Sequence, residues 1–122
     1  MLNKADEELI TNFIYLPLVR KVFERDMEKL KTAELKFTTP YLSLVERTIM
    51  KVGIDLGKVK KQLSKKGIYV YDQGQSEGLC LYLIVIRGYR REKSLFPHLM
   101  KQTVETYINE YLNLFEKPKN EQ

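Results

Sequence analysis

Apolar residues recur at helical spacing through the first third of the chain. Asp6, Glu7 and Glu8 precede Leu9, Ile10, Phe13 and Ile14, and acidic side chains at a helix start offset the macrodipole. This predicts a short helix over about residues 7–15. Pro17 then opens or kinks a second helical stretch. Val19, Phe23, Met27 and Leu30 share one face, so a helix over about 17–33 is expected. Thr38-Thr39-Pro40 reads as another start, with a Thr cap and Pro in the first turn. The strongest pattern follows. Leu42, Val45, Ile49, Val52, Leu56, Val59 and Leu63 alternate spacings of three and four, a seam suited to packing on a neighbouring helix. One long helix over 40–65 is expected, stopped by Gly67. Gly53 and Gly57 inside it allow a close helix crossing, or a break after which Asp55 caps a fresh helix; the single helix, bent near Gly53, is the expectation.

The period then changes. Ile68 to Tyr71 and Leu79 to Ile86 are β-rich runs around a polar segment with two glycines, which predicts a β-hairpin. The second run is apolar on both faces, a pattern shared by buried strands and buried helices; it is read here as a strand. A last helix is expected from Ser94 or Phe96 to Glu116, with Met100, Val104, Tyr107, Tyr111 and Phe115 along one face. Lys117 to Gln122 is a polar stretch containing Pro118, expected to be a disordered tail after a single domain at 1–116. The expected class is mainly α (α+β): two long helices and a shorter N-terminal helix, with a two-stranded hairpin near 68–87.

With 122 residues the chain has the length of one domain. Its longest apolar run, Leu79 to Ile86, has eight residues, against about twenty for a membrane span. The N-terminus turns acidic where a signal peptide would be basic and then apolar. A cytoplasmic protein with no membrane partner is therefore expected. One Cys excludes an intrachain disulfide, and one Cys with one His cannot supply the usual zinc sets. No phosphate-cradling loop or calcium loop is present, and no cofactor is expected. Cys80 and His98 are the available thiol–base pair. Cys80 lies in the most apolar run, where a thiol is ordinarily an inert small hydrophobe. His98 sits in the first turn of the last helix, where a surface role is the ordinary one. No catalytic residue is assigned, and an enzyme is not expected.

Charge adds one asymmetry. Residues 58–93 carry nine basic and three acidic side chains, so the whole net charge of +5 resides in the middle third. Two candidate surfaces follow. Lys58, Lys61 and Lys65 lie on one helical face away from the apolar seam. Arg87, Arg90 and Arg91 surround Tyr89, near Tyr69 and Tyr71 if the hairpin forms. Basic residues among aromatics suit nucleic acid; the ordinary alternative is a solvated face. Tyr107, Tyr111, Leu114 and Phe115 either cover the core or form a face for a partner or a second copy.

The chain resembles a family of short uncharacterised proteins from Bacillus and related spore-formers, the YhjD-like proteins. The resemblance rests on Phe13-Ile14-Tyr15-Leu16-Pro17-Leu18-Val19, Glu24-Arg25-Asp26, Pro40-Tyr41-Leu42, Arg87-Gly88-Tyr89 and the stretch from Tyr107 to Leu112. It implies no activity, cofactor, substrate or catalytic residue. Where the family pattern follows Gly-Tyr with acidic residues, this chain has Arg90-Arg91, so the resemblance does not imply a shared basic surface. The expected function is non-enzymatic binding of another protein, or of a second copy as a homodimer. The alternative is nucleic-acid binding through Lys58, Lys61, Lys65, Arg87, Tyr89, Arg90 and Arg91.

Overall fold

In the computed structural model, which describes residues 2–114, α1 (Lys4–Thr32) and α2 (Thr38–Lys66) are followed by β1 (Ile68–Ser76), β2 (Leu79–Ile86), β3 (Tyr89–Leu95) and α3 (Pro97–Asn113). Phe115, Glu116 and the tail expected at 117–122 lie outside the described residues.

The mainly helical class with a β component stands, but the helix count shifts along the chain. The two stretches expected on either side of Pro17 are one helix of 29 residues with Pro17 inside it. A mid-helix proline costs about 3 kcal/mol through its lost hydrogen bond and ring clash. That cost is offset because Ile10 and Ile14 before it, and Leu16, Val19 and Phe23 around and beyond it, are all buried in the core. The helix also starts earlier than its acidic run suggests. Asn3 Oδ1 accepts the Asp6 N–H at 2.8 Å, and the Asn3 N–H donates to Asp6 Oδ2 at 3.3 Å, a reciprocal cap that satisfies two otherwise orphaned donors. The long helices are thus α1 and α2, and the shorter one is C-terminal.

Most of the α2 seam buries as its spacing predicts, with Val45, Val52, Leu56, Val59 and Leu63 in the core, Ile49 partly buried against it and Leu42 half-buried. Thr48 joins them, its hydroxyl donating to the Leu44 carbonyl at 2.7 Å so that no buried polar group is left unpaired. The helix begins at Thr38 with Phe37 at the cap position and no side-chain cap, rather than with a Thr cap. It runs unbroken through Gly53 and Gly57. Neither glycine serves a close crossing within the chain, since a methyl group added at either meets nothing within 4 Å. Gly67 ends the helix in the left-handed region, at φ 70°. The short connection at 33–37 folds α2 back along α1. Lys66, at the end of α2, thereby reaches Asp6, in the first turn of α1, at 2.6 Å.

The expected two-stranded hairpin is a three-stranded antiparallel meander, β1-β2-β3. Two features account for the difference. Most of the expected 72–78 loop is strand, with a register shift between Asp72 and Gln75 where Gly74 adopts φ 82° and donates its N–H to Asp72 Oδ1 at 2.8 Å. The second is Arg87-Gly88, where both residues have positive φ, 46° and 93°. Positive φ at both central positions matches the right-handed twist of a two-residue hairpin. It sends the polar segment Tyr89–Leu95 back along β2. β3 is an edge strand, and its charges discourage further strand pairing.

Alternation fixes the two faces of the sheet. Ile68, Val70, Tyr82, Ile84 and Ile86 pack with the helices. α3 then crosses α1: Tyr107 stacks on Tyr15 with centroids 5.7 Å apart, and Tyr111 reaches Asp55 of α2. Tyr107 and Tyr111, one expected option for a partner face, therefore cover the core. No helix among the described residues is long and apolar enough to cross a membrane.

Glycine substitutions should separate conformational cost from conformational need. Gly53→Ala and Gly57→Ala should each raise unfolding free energy in dilute solution by about 0.5–1 kcal/mol, the propensity difference alone. Gly67→Ala should lower it by about 1 kcal/mol or more, because its φ is left-handed and the new Cβ would sit 3.3 Å from Arg87 Cγ. Denaturant unfolding monitored by circular dichroism would show opposite signs at the two kinds of site.

Candidate functional site

The basic residues singled out in the sequence do not form one surface. A junction where α1 begins, α2 ends and β2 turns into β3 takes up several of them. Lys66 pairs with Asp6 at 2.6 Å. Arg87 Nη1 donates to the Lys66 carbonyl at 3.1 Å, closing off the C-terminal end of α2. Arg91 Nη1 meets Glu7 at 3.1 Å. The junction favours charged Asp6. Its hydrogen bond from Lys66 and that from the Asn3 backbone hold the carboxyl below its ordinary value, with the Lys66 and Arg87 charges adding to them against burial.

The remaining candidates divide between two sides of the molecule. Lys58 lines a cavity of about 410 Å³ beside Tyr107 and Tyr111 of α3, whereas Lys60 lines a groove beside Tyr69 and Tyr71 of β1. Two residues along a helix are about 200° apart around its axis. The Lys58, Lys61 and Lys65 ridge therefore faces away from the sheet. On the sheet, Arg90 pairs with Val85 and Arg91 with Ile84. Adjacent strand residues point to opposite faces, so Arg91 lies on the helix side and Arg90 on the outer side. Tyr89 is exposed beside the turn.

That outer side holds what the basic pattern did not reveal. Tyr69 and Tyr71 of β1 stand opposite Val85 and Leu83 of β2, and Leu83, Val85 and Leu81 stand opposite Glu92, Arg90 and Ser94 of β3. Among the described residues no element lies over this face. Leu83 is nonetheless only 6% exposed, while Tyr69 and Tyr71 are 48% and 50% exposed. The leucine belongs to no part of the main core; its own sheet neighbours shelter it. The signal was present in the sequence as a run apolar on both faces. The periodicity showed that both faces of β2 would be greasy, without showing that only one would be covered.

The cavity beside α3 has a wall whose polar groups pair with one another. Tyr107 donates to Asn12 Oδ1 at 2.5 Å. Tyr111 donates to Asp55 Oδ2 at 2.7 Å, and Lys51 holds the other Asp55 oxygen at 3.1 Å. Burial pushes the Tyr107 phenol up to about 12 and raises Tyr111 as well, so both remain protonated donors at neutral pH. The network pins α3 across the two long helices.

The YhjD protein family matches residues 1–116. The chain belongs to the YhjD family. A relative from Bacillus subtilis (strain 168), named Uncharacterized protein YhjD, is 29% identical over 105 residues, which cover 86% of this chain and 88% of the relative. No solved structure matches the chain. The resemblance drawn from Pro17, Pro40 and Arg87-Gly88-Tyr89 is thus a family relationship. The relative's name states no activity, so YhjD membership leaves the chemistry to be argued from the residues.

Cys80 and His98 occupy different surroundings. Cys80 is half-buried on the helix-facing side of β2, with Gln75 Nε2 at 3.7 Å from its sulfur. His98 is exposed and tilts against Phe96, with ring centroids 6.1 Å apart. A cavity of about 430 Å³ beside Cys80 is walled by Leu18, Val22, Tyr82, Pro97 and Met100 among others. Among the described residues, no group of three or more His, Cys, Asp or Glu side chains is placed to hold a metal ion.

The Asp6 junction makes a pH-dependent prediction. A carboxyl whose folded value is depressed contributes stability above its unfolded value, here near 3.8, and loses it as pH falls through the lower folded value. Asp6→Asn lacks that contribution at neutral pH. Denaturant unfolding across a pH series should show wild type more stable at neutrality and the two curves converging in acid.

Proposed function

We propose that this chain works in the cytoplasm, without catalysis, by binding another protein through the outer face of its sheet. The observation carrying this reading is the apolar centre of that face: Leu81, Leu83 and Val85, bordered by Tyr69 and Tyr71 on one strand and by Arg90 and Glu92 on the other. An antiparallel sheet with one solvated face ordinarily alternates apolar and polar residues. Here the central strand is apolar on its solvated side too. An aliphatic centre with tyrosines and an arginine at its margin is the composition that protein interfaces favour. The partner fitting it would present an apolar face with polar groups placed for Arg90 and Glu92.

Contact with nucleic acid is the second reading. It draws on the exposure of Lys58, Lys61, Lys65, Arg87, Tyr89, Arg90 and Arg91. Its geometry is less favourable, because the lysine ridge and Arg90 face different directions and Arg87 and Arg91 are engaged at the junction.

Two measurements decide between them. Wild-type protein used as bait in its native host should retain a specific partner. Tyr69→Ser/Tyr71→Ser, at two half-exposed positions, should lose that partner by about tenfold or more in affinity, while Lys61→Glu/Lys65→Glu should keep it. Recovery of no specific partner, or equal retention by the tyrosine variant, would remove the sheet-face reading. Retardation of DNA or RNA at low salt that fades steeply as salt rises, and that Lys61→Glu/Lys65→Glu weakens, would favour the second reading instead.

A further inference from the structure

The cavity of about 430 Å³ on the helix side of the sheet has a largely apolar wall and one hydroxyl that the chain leaves unused. Leu18 and Val22 of α1 and Met100 and Val104 of α3 enclose it over β1 and β2. Tyr82 of β2 lines it and is 8% exposed. Its hydroxyl has no hydrogen-bond partner among the described residues, whereas those of Tyr107 and Tyr111 donate to Asn12 and Asp55. A phenol buried to this extent ordinarily has a partner. The Tyr15 hydroxyl, outside the cavity wall, is also unpaired and cannot serve as one. Burial pushes the Tyr82 phenol up to about 12, with Asp72 next in effect. At neutral pH it keeps a proton to donate. Two charges of opposite sign line the same cavity, Asp72 of β1 and Lys101 of α3, both exposed. One Asp72 oxygen already accepts the Gly74 N–H. Lys93 stands opposite Tyr82 on β3 but takes no part in the wall.

We propose that this cavity binds a small apolar molecule carrying one uncharged hydroxyl, its body against the aliphatic wall and its hydroxyl on Tyr82. The inference is independent of the sheet-face reading, because Tyr82 packs with the helices while Tyr69 and Tyr71 lie on the other side of the sheet. Small-molecule sites are cavities of this order of size, apolar for the most part, with a few polar groups that fix orientation. Met100, buried in the wall, adapts readily to the shape of an occupant. The charges select the head. A carboxylate would meet Asp72 and an ammonium would meet Lys101, each a like charge brought together away from bulk water at a cost. A hydroxyl avoids both conflicts. It accepts from the Tyr82 phenol and donates to the second Asp72 oxygen, and so gives the unpaired phenol the partner that the chain does not supply.

Nuclear magnetic resonance titration of the full chain with 1-octanol, octanoate and octylammonium, which share one chain length and differ in the head, tests this. With 1-octanol the amide signals of Gln75, Cys80, Tyr82 and Val104 should shift and saturate. The two charged molecules should bind about tenfold more weakly or worse. Tyr82→Phe should bind 1-octanol about three- to tenfold more weakly than wild type, the loss of one neutral hydrogen bond. With no alcohol present, the same variant should unfold at no lower denaturant concentration than wild type, since an unpaired hydroxyl contributes nothing to the free fold. Tyr69→Ser/Tyr71→Ser should bind 1-octanol as wild type does, whatever the outcome for a protein partner. No saturable shift with 1-octanol would overturn the proposal, as would equal binding by Tyr82→Phe or a loss of stability in that variant without the alcohol. Octanoate or octylammonium binding as tightly as the alcohol would overturn the uncharged head.

Discussion

Everything else in this fold rests on the burial of α1, which packs along α2 and also meets α3 and β1. Ile10 and Val19 of α1 and Val52 of α2 are fully buried, and nine residues set Ile10 and Val19 on opposite sides of α1. Burying an aliphatic side chain of this size contributes about 1.5–3 kcal/mol. A handful of such residues suffices to hold Pro17 within a continuous helix. The proline is tolerated because apolar residues on both sides of it are already held in the core. Helix propensity would break α1 at that point; tertiary packing does not permit the break.

This packing also explains how a strand apolar on both faces can have one of them bare. Tyr82, Ile84 and Ile86 of β2 find the helices, whereas Leu81, Leu83 and Val85 find only their neighbours in the sheet. A second layer on the outer side would need another amphipathic element, and α3 is occupied. Its tyrosines reach Asn12 and Asp55, which directs it over the long helices. The outer sheet face is therefore left by the way the helices are distributed, and tyrosines at its margin give Leu83 partial shelter without closing it.

Parts of this were readable from the amino-acid order and parts were not, for identifiable reasons. The α2 seam and its Gly67 stop were legible because a repeat of three and four and a left-handed cap are local signals. The β1–β2 pairing was legible from two β-rich runs. β3 was not, because Tyr89–Leu95 has no β-branched residue and owes its conformation to pairing with β2 after a turn at Arg87-Gly88, which lacks the usual Asn-Gly or Asp-Gly signature. The cap at Asn3 was missed because acidic residues marked the first turn without marking where it began. For the candidate surface, the sequence located the basic residues but could not assign them to sides. That depends on strand parity, which separates Arg90 from Arg91, and on helix rotation, which separates Lys58 from Lys60.

Charge illustrates how far position outweighs number. The middle of the chain is strongly positive, and a count alone points outward to an anionic partner. Much of that excess has an internal reason. α2 is 29 residues long, and its C-terminal end concentrates unsatisfied carbonyls and partial negative charge. Lys65 and Lys66 lie in that last turn, Arg87 donates to one of its carbonyls, and Lys66 with Arg91 binds the acidic first turn of α1 across the junction. A helix pair that folds back on itself necessarily places the start of one beside the end of the other. The acidic start of α1 and the basic end of α2 are thus complementary halves of one contact. The basic side chains that this contact leaves over are divided between two sides, the Lys58, Lys61 and Lys65 ridge facing away from the sheet and Arg90 opposite Val85 on its outer face.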